Sequence, residues 1–208
     1  MLRIALINGS PKTKNGASGC LLEDLKVLLK DNEISEYRLR TPQLEKAEEV
    51  ISHDVLVFSF PLYVDGIPSH LLYCLEELRE QLKEHKADIQ VYAICNAGFY
   101  EGHQNQYALQ ILKNWCSKSG FIWGQGIGIG GGGMVASLKN VPHGKGPKKK
   151  ISLALDALAD NILQRRSANN IYVNPGIPRF LYKFGGEMGW RRTIKANGLK
   201  TKDLFMRR

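Results

Sequence analysis

MLRIALINGSPKTKNGAS, residues Met1 to Ser18, carries the strongest structural signal in the chain. Leu2 to Ile7 is a short apolar run, the pattern of a strand buried on both faces. It breaks into Asn8-Gly9-Ser10-Pro11, four turn formers in succession. A loop of small and hydroxyl residues follows, and helical spacing begins at Leu21 and runs to Leu29. A strand that ends in a small, glycine-bearing loop at a helix N-terminus is an anion site, because free backbone N–H groups and the positive end of the helix dipole point into the loop. Ser10, Thr13 and Ser18 can add hydroxyls, and Lys12 or Lys14 can add charge. A phosphate monoester suits such a place. On these residues alone an ordinary β–α turn remains the alternative. No Gly-Lys-Ser/Thr closes the loop, so it is not a Walker-type loop, nor is it G-x-G-x-x-G.

Outward from this stretch, strand-like and helix-like segments alternate. Ile34–Leu39, Asp54–Phe60, Ile89–Cys95 and Phe121–Ile129 read as further strands. Gln43–Ile51, Ile67–Leu82, Gln104–Ser119 and Lys150–Arg166 read as helices, with Leu71, Leu72, Leu75, Leu78 and Leu82 on one side of the second of these. Such alternation predicts a parallel sheet covered on both faces. Right-handed crossovers then give a doubly wound, three-layer α/β/α sandwich. Five strands fit the order 2-1-3-4-5, in which ligands sit at the carboxyl ends of the strands near the switch point.

In that order strands one, three and four are neighbours. Their exit loops are Asn8–Ser18, Pro61–Pro68 and Asn96–His103. The second, PLYVDGIP, is stiffened by Pro61 and Pro68, turned at Gly66, and offers the Tyr63 ring. In the third, Gly98 and Gly102 permit close backbone approach beside Phe99 and Tyr100. A phosphate-type loop beside two aromatic, glycine-bearing loops suits a flat, phosphorylated heterocycle, and FMN has that shape.

Together the three loops resemble those of the flavodoxin-like NAD(P)H-dependent FMN reductases. Gly9-Ser10-Pro11-Lys12 is similar to the first family motif. Pro61-Leu62-Tyr63 with Gly66 and Pro68 is similar to the second, and Asn96-Ala97-Gly98-Phe99 followed by Glu101 and His103-Gln104-Asn105 to the third. The resemblance covers residues 1–120 by motif and extends to about 165 by layout. It implies a flavodoxin-like fold, noncovalent FMN, and NADPH or NADH as co-substrate. By family position Ser10, Lys12, Asn15 and Ser18 would hold the phosphate. Pro61, Leu62, Tyr63, Val64 and Gly66, with Asn96, Ala97, Gly98 and Phe99, would border the ring, and Glu101 completes the cofactor set. The first loop is one residue longer than the common spacing. No catalytic acid or base is named, because the flavin carries the hydride chemistry. Glu101 and His103 are the nearby titratable residues; the first suits a helix start and the second a surface or capping position. The expected enzyme is an NAD(P)H-dependent FMN oxidoreductase whose acceptor is free flavin, a quinone, or a nitro or azo compound. A flavodoxin-type electron carrier is the alternative.

Composition bounds the rest. The chain has 208 residues, 43% of them hydrophobic and 24% charged, which is ordinary for a globular protein. The apolar start is too short for a signal peptide. Cys20, Cys74, Cys95 and Cys116 stand apart without metal-ligand spacing, which fits a reduced cytoplasm and argues against an iron–sulfur cluster. Charge is uneven: residues 1–138 carry a net −3 and residues 139–208 a net +12. Gly126-Ile-Gly-Ile-Gly-Gly131 contains G-x-G-x-x-G, but no acidic residue stands at the usual distance. It reads as a connection or a mobile loop over the ring, not as a dinucleotide fingerprint. The run Gly144–Lys150 reads as a solvated loop, with a nucleotide 2′-phosphate as the functional alternative. The expected division is a flavin domain over 1–168 and a basic, amphipathic extension over 169–208. Docking of that extension on the domain or on a second subunit ranks first, weak contact with an anionic membrane surface second, and nucleic acid last. A homodimer is expected, with a small-molecule electron acceptor and no nucleic-acid partner.

Overall fold

A computed structural model describes residues 1–12, 16–39, 47–84 and 88–205. Among these the chain forms two compact units, Met1–Gly176 and Ile177–Arg208.

The first unit holds a six-stranded sheet, all neighbours parallel, in the order β2-β1-β3-β4-β5-β6. The strands are β1 (Arg3–Asn8), β2 (Glu33–Arg38), β3 (Val55–Pro61), β4 (Gln90–Asn96), β5 (Ile122–Ile129) and β6 (Ile171–Val173). The helices are α1 (Ala17–Leu28), α2 (Ala47–Ile51), α3 (Ser69–Glu84), α4 (Gln106–Ser119), the one-turn α5 (Gly132–Val135) and α6 (Lys149–Leu163). Alternate residues of each strand feed opposite cores. Ala5, Ile7, Leu56, Phe58, Val91 and Ala93 pack against α2, α3 and α4. Ile4, Leu6, Val55, Val57, Ile94 and Ile127 pack against α1, α5 and α6. β3 and β4 are buried along nearly their whole length, as strands covered on both faces must be.

The expected order 2-1-3-4-5 is present, and the strand count differs by one. Ile171-Tyr172-Val173 pairs with Ile127–Ile129 at the sheet edge, and Gly130 N donates to Val173 O at 2.8 Å. Three residues are too few to show an alternation, so this strand is set by its neighbour and not by its own pattern. The sheet unit accordingly runs to Gly176, past the expected boundary at 168.

The glycines of β5 settle two competing expectations. Gly126 and Gly128 lie within the strand, as the reading of Phe121–Ile129 has it, and not in a connection or mobile loop. The register shifts between Val91 and Ala93 of β4, where three residues of β5 span two of its partner. A Cβ on Gly124 would sit 2.4 Å from the Tyr92 ring, and one on Gly128 would sit 2.7 Å from Gly102 O. Glycine is required there by close packing.

The second unit contains α7 (Arg179–Ala196) and a 3-10 turn, Thr201–Phe205. No residue of α7 is buried. It departs from the amphipathic expectation: its apolar and basic side chains do not divide onto two faces. Phe180, Leu181, Phe184, Met188 and Trp190 share the first turns with Arg179 and Lys183, and Arg191, Arg192 and Lys195 follow around Ile194.

Candidate functional site

The carboxyl ends of β1, β3 and β4 lie side by side, and their exit loops are tied together by hydrogen bonds. Gly9 N donates to Ser59 O at 2.9 Å, fixing the start of the first loop on β3. Ser10 N donates to Asn8 Oδ1 at 3.0 Å, and Lys12 N to Ser10 Oγ at 3.3 Å. This side chain-to-backbone pair turns the loop at once. Gly16 then enters α1 in extended conformation, with no side chain capping the helix and no acidic residue in its first turn. The N-terminal N–H groups and the dipole are thus left for an anion. Ser10 lies at this end of the helix: a Cβ on Gly16 would be 3.5 Å from its Oγ.

The second loop is a tight turn. Tyr63 and Gly66 exchange backbone hydrogen bonds at 3.1 and 2.9 Å around Val64 and Asp65. Both central residues are left-handed, with φ of 48° and 56°. This is the hairpin-type turn that Asn-Gly usually fills. A β-branched valine there is strained, and strain of this kind marks functional loops. Tyr63 and Val64 are exposed at the tip. His70, in the first turn of α3, brings Nε2 within 3.0 Å of Gly9 O and so links this segment to the first loop.

The third loop follows β4. Gly131 N donates to Phe99 O at 2.6 Å and Gly132 N to Ala97 O at 2.7 Å, which seats the loop on the glycine-rich end of β5. A Cβ on Gly130 would lie 2.1 Å from Tyr100 O. Gly102 N donates to Asn174 Oδ1 at 2.8 Å. Phe99 is exposed, and a Cβ on Gly98 would meet nothing within 4 Å, so a planar ligand can come against the backbone there.

One residue, through its side chain and its main chain, ties the three strand ends together. Asn96 Nδ2 donates to Ser18 Oγ at 2.9 Å and to Phe60 O at 3.0 Å, and Asn96 O accepts from Leu62 N at 2.8 Å. Ser59 Oγ donates to Ser18 O at 3.1 Å. Ser18 is therefore 1% exposed, with its hydroxyl engaged by Asn96. It positions the first turn of α1 from below.

The expected site residues divide accordingly. Ser10, Lys12, Tyr63, Val64, Gly66, Gly98 and Phe99 line the strand-end loops. Pro61 and Leu62 lead into the turn half-buried. Asn96, Ala97 and Ser18 are buried beneath the loops. Asn15, with Thr13 and Lys14, lies outside the described residues. Glu101 precedes the 3-10 turn Gly102–Asn105. The His103 ring meets Tyr172 edge-on at 4.9 Å, a surface position. Sequence reading missed Ser59, His70 and Asn174. Nothing in a lone serine, histidine or asparagine announces that it supports a loop distant in sequence.

Other candidates fall away. Lys148, in the run read as a solvated loop, is 5% exposed and pairs with Asp24 at 2.8 Å, tying α6 to α1. The four cysteines are free and buried. Burial pushes the Cys74 thiol up to about 11 and raises those of Cys20, Cys95 and Cys116 as well, so none is poised as a thiolate. Among the described residues no group of His, Cys, Asp and Glu could hold a metal ion, and no helix is long and apolar enough to cross a membrane.

A parallel α/β/α sandwich with a ligand-type loop cluster at the β1, β3 and β4 ends decides the comparison. The fold is flavodoxin-like. No sequence-family profile and no curated protein matches the chain. Solved structures do. The apo form of the NADH:FMN oxidoreductase EMOB aligns with a TM-score of 0.58 at 16% identity, over 86% of this chain and 97% of its own. Azoreductase from Bacillus anthracis str. Sterne aligns with a TM-score of 0.51 at 12% identity, over 79% of this chain and 100% of its own. Oxidised flavodoxin 2 from Bacillus cereus aligns with a TM-score of 0.52 at 14% identity, over 78% and 99%. The flavodoxin-like sandwich thus accounts for the whole of each relative's length or nearly so.

Proposed function

We propose that this chain is an FMN-dependent oxidoreductase that takes hydride from NADH or NADPH and passes the electrons to a small acceptor: free flavin, a quinone, or a nitro or azo compound. The observation that carries the reading is the meeting of an uncapped helix N-terminus with two ring-bearing loops on adjacent strand ends. Uncapped N–H donors, the Ser10 hydroxyl and Lys12 fit a phosphate monoester. The open backbone at Gly98, flanked by Phe99 and the Tyr63 turn, fits a planar ring. Bound FMN supplies the two-electron chemistry. The chain's own part is to bind and orient it. Ser10, Lys12 and the first turn of α1 hold the phosphate. Tyr63, Val64 and Gly66 border the ring on one side, and Gly98 and Phe99 on the other. Asn96 and Ser18 hold the three loops in register. No side chain is assigned as acid or base.

The likeness to an NADH:FMN oxidoreductase and an azoreductase supports an enzyme. A carrier that docks by an acidic surface is disfavoured by charge, since residues 1–176 carry a net +2. Four buried free thiols suit a reducing compartment such as the cytoplasm. A homodimer belongs to the same proposal.

The test is an FMN titration followed by anaerobic addition of NADH and NADPH, read by flavin absorbance. Uptake of FMN and rapid bleaching are expected. Failure to bind FMN overturns the proposal, and binding without bleaching supports the carrier. Ser10→Glu places a charged, bulkier side chain against the phosphate. It abolishes FMN binding if the loop assignment holds, and retained FMN refutes that assignment.

A further inference from the structure

The second unit has features that the flavin site does not use. α7 is 18 residues long, and Gly185, Gly186 and Gly189 lie within it. Each glycine costs a helix about 1 kcal/mol relative to alanine. Most helices recover such losses by packing an apolar face, yet in α7 Tyr182 and Ile194 are only half-buried and the other residues are exposed. Phe180 is 70% exposed, Trp190 67% and Phe184 59%. Residues 177–208 also hold nine Lys and Arg against two Asp and Glu, so most of the protein's net charge of +9 resides in this short unit.

The order of side chains narrows the partner. Positions 180, 184, 188, 191 and 195 fall on one line of a helix. That line reads Phe, Phe, Met, Arg, Lys: two turns apolar, then two turns cationic. Trp190 stands at the changeover, and Lys200 and Lys202 prolong the basic end. A helix that carries such a line suits a boundary that is apolar on one side and anionic on the other, and tryptophan favours such a boundary. Arg179 and Lys183 stand beside the apolar members of that line, and single-stranded nucleic acid also takes interleaved aromatic and basic groups, so the test below includes it as a competing outcome. A second copy would bring the same positive unit against its own charge.

We propose that the C-terminal unit, Ile177–Arg208, is a docking surface for anionic lipid bilayers. α7 enters obliquely, with Phe180, Leu181, Phe184 and Met188 among the headgroups and Arg191, Arg192 and Lys195 on the lipid phosphates. Attraction of a polybasic segment to an anionic leaflet adds up over its charges and decays within a Debye length, so binding depends steeply on salt.

The experiment sediments the full chain with extruded phosphatidylcholine vesicles made with and without phosphatidylglycerol. The full chain is expected to partition roughly tenfold or more in favour of the anionic vesicles, and to lose that advantage at high salt. Triple reversal, R191E/R192E/K195E, is expected to abolish the preference with the circular dichroism of the sheet unit unchanged. F184A/W190A is expected to weaken binding to anionic vesicles about tenfold while leaving its salt dependence in place. Trp190 emission shifts to the blue on binding, and W190F lacks that shift. Equal binding to both vesicle types, or binding to neither, overturns the proposal. So does a salt-resistant dimer in sedimentation velocity, or retention of nucleic acid in place of lipid.

Discussion

Asn96→Ala tests how the site is assembled. Asn96 is the last residue of β4 and is buried. Truncation removes the Nδ2 donations to Ser18 Oγ and Phe60 O and keeps the main-chain bond from Leu62. A buried hydrogen bond contributes about 1 kcal/mol, and an acceptor left dry costs about 1–3 kcal/mol. The Ser18 hydroxyl can rotate to another partner, so its loss is partial. With the small cavity left behind, the expected destabilisation is about 2–4 kcal/mol. That is a large share of the 5–15 kcal/mol typical of a domain. Urea unfolding followed by tryptophan emission measures it, since Trp115 stacks on Phe121 inside the core. A second measurement separates positioning from stability. Ser18 sits in the first turn of α1, the end proposed above to hold the phosphate, so the variant is expected to weaken FMN more than riboflavin. An unchanged urea midpoint, with FMN and riboflavin affected alike, refutes the reasoning.

Four further outcomes are expected. Val64→Gly relieves a left-handed β-branched residue and raises stability by about 0.5–1 kcal/mol after the entropy of the added glycine is counted. A loss of stability in thermal melts contradicts the strain. Gly130→Ala drives a Cβ into Tyr100 O and Gly102 N, and is expected to cost about 1–3 kcal/mol and weaken FMN binding. Gly98→Ala meets no protein atom within 4 Å and is expected to keep parental stability while still weakening FMN, so equal behaviour of the pair counts against the ring position. Burial raises the Tyr92 phenol to about 12 from an ordinary 10, while its OH lies 2.8 Å from Asn161 O. An acid with a raised pKa stabilises the fold fully below pH 10 and loses that contribution as pH climbs to about 12. Tyr37 is raised to about 12 as well. Urea midpoints are therefore expected to fall across that window, and a flat profile refutes the burial argument.

Much of the site was legible because local chemistry writes it. Asn8-Gly9-Ser10-Pro11 after an apolar run can do little but turn, and the structure turns there through Asn8 Oδ1 and Ser10 Oγ. Pro61, Gly66 and Pro68 likewise mark a rigid loop, although the left-handed Val64 and Asp65 are not what turn propensity favours. The burial of Ser18 under Asn96 was not legible, because a hydroxyl near a helix start suits a phosphate and a buried asparagine equally well. Lys148 was misplaced because a basic run gives no sign that one member has an aspartate waiting on another helix.

The alternation of strands and helices, the parallel sheet, and the three loops that meet could be read from the chain alone. Those follow from periodicity and from turn-forming residues, which act over a few positions. Only the tertiary structure decided that β6 exists, that the glycines of β5 make room for Tyr92 and for the loop after β4, and that Asn96 clamps the site from beneath. Each of these depends on atoms far apart in the chain reaching contact distance, and no local pattern encodes a distance between segments that have yet to pack.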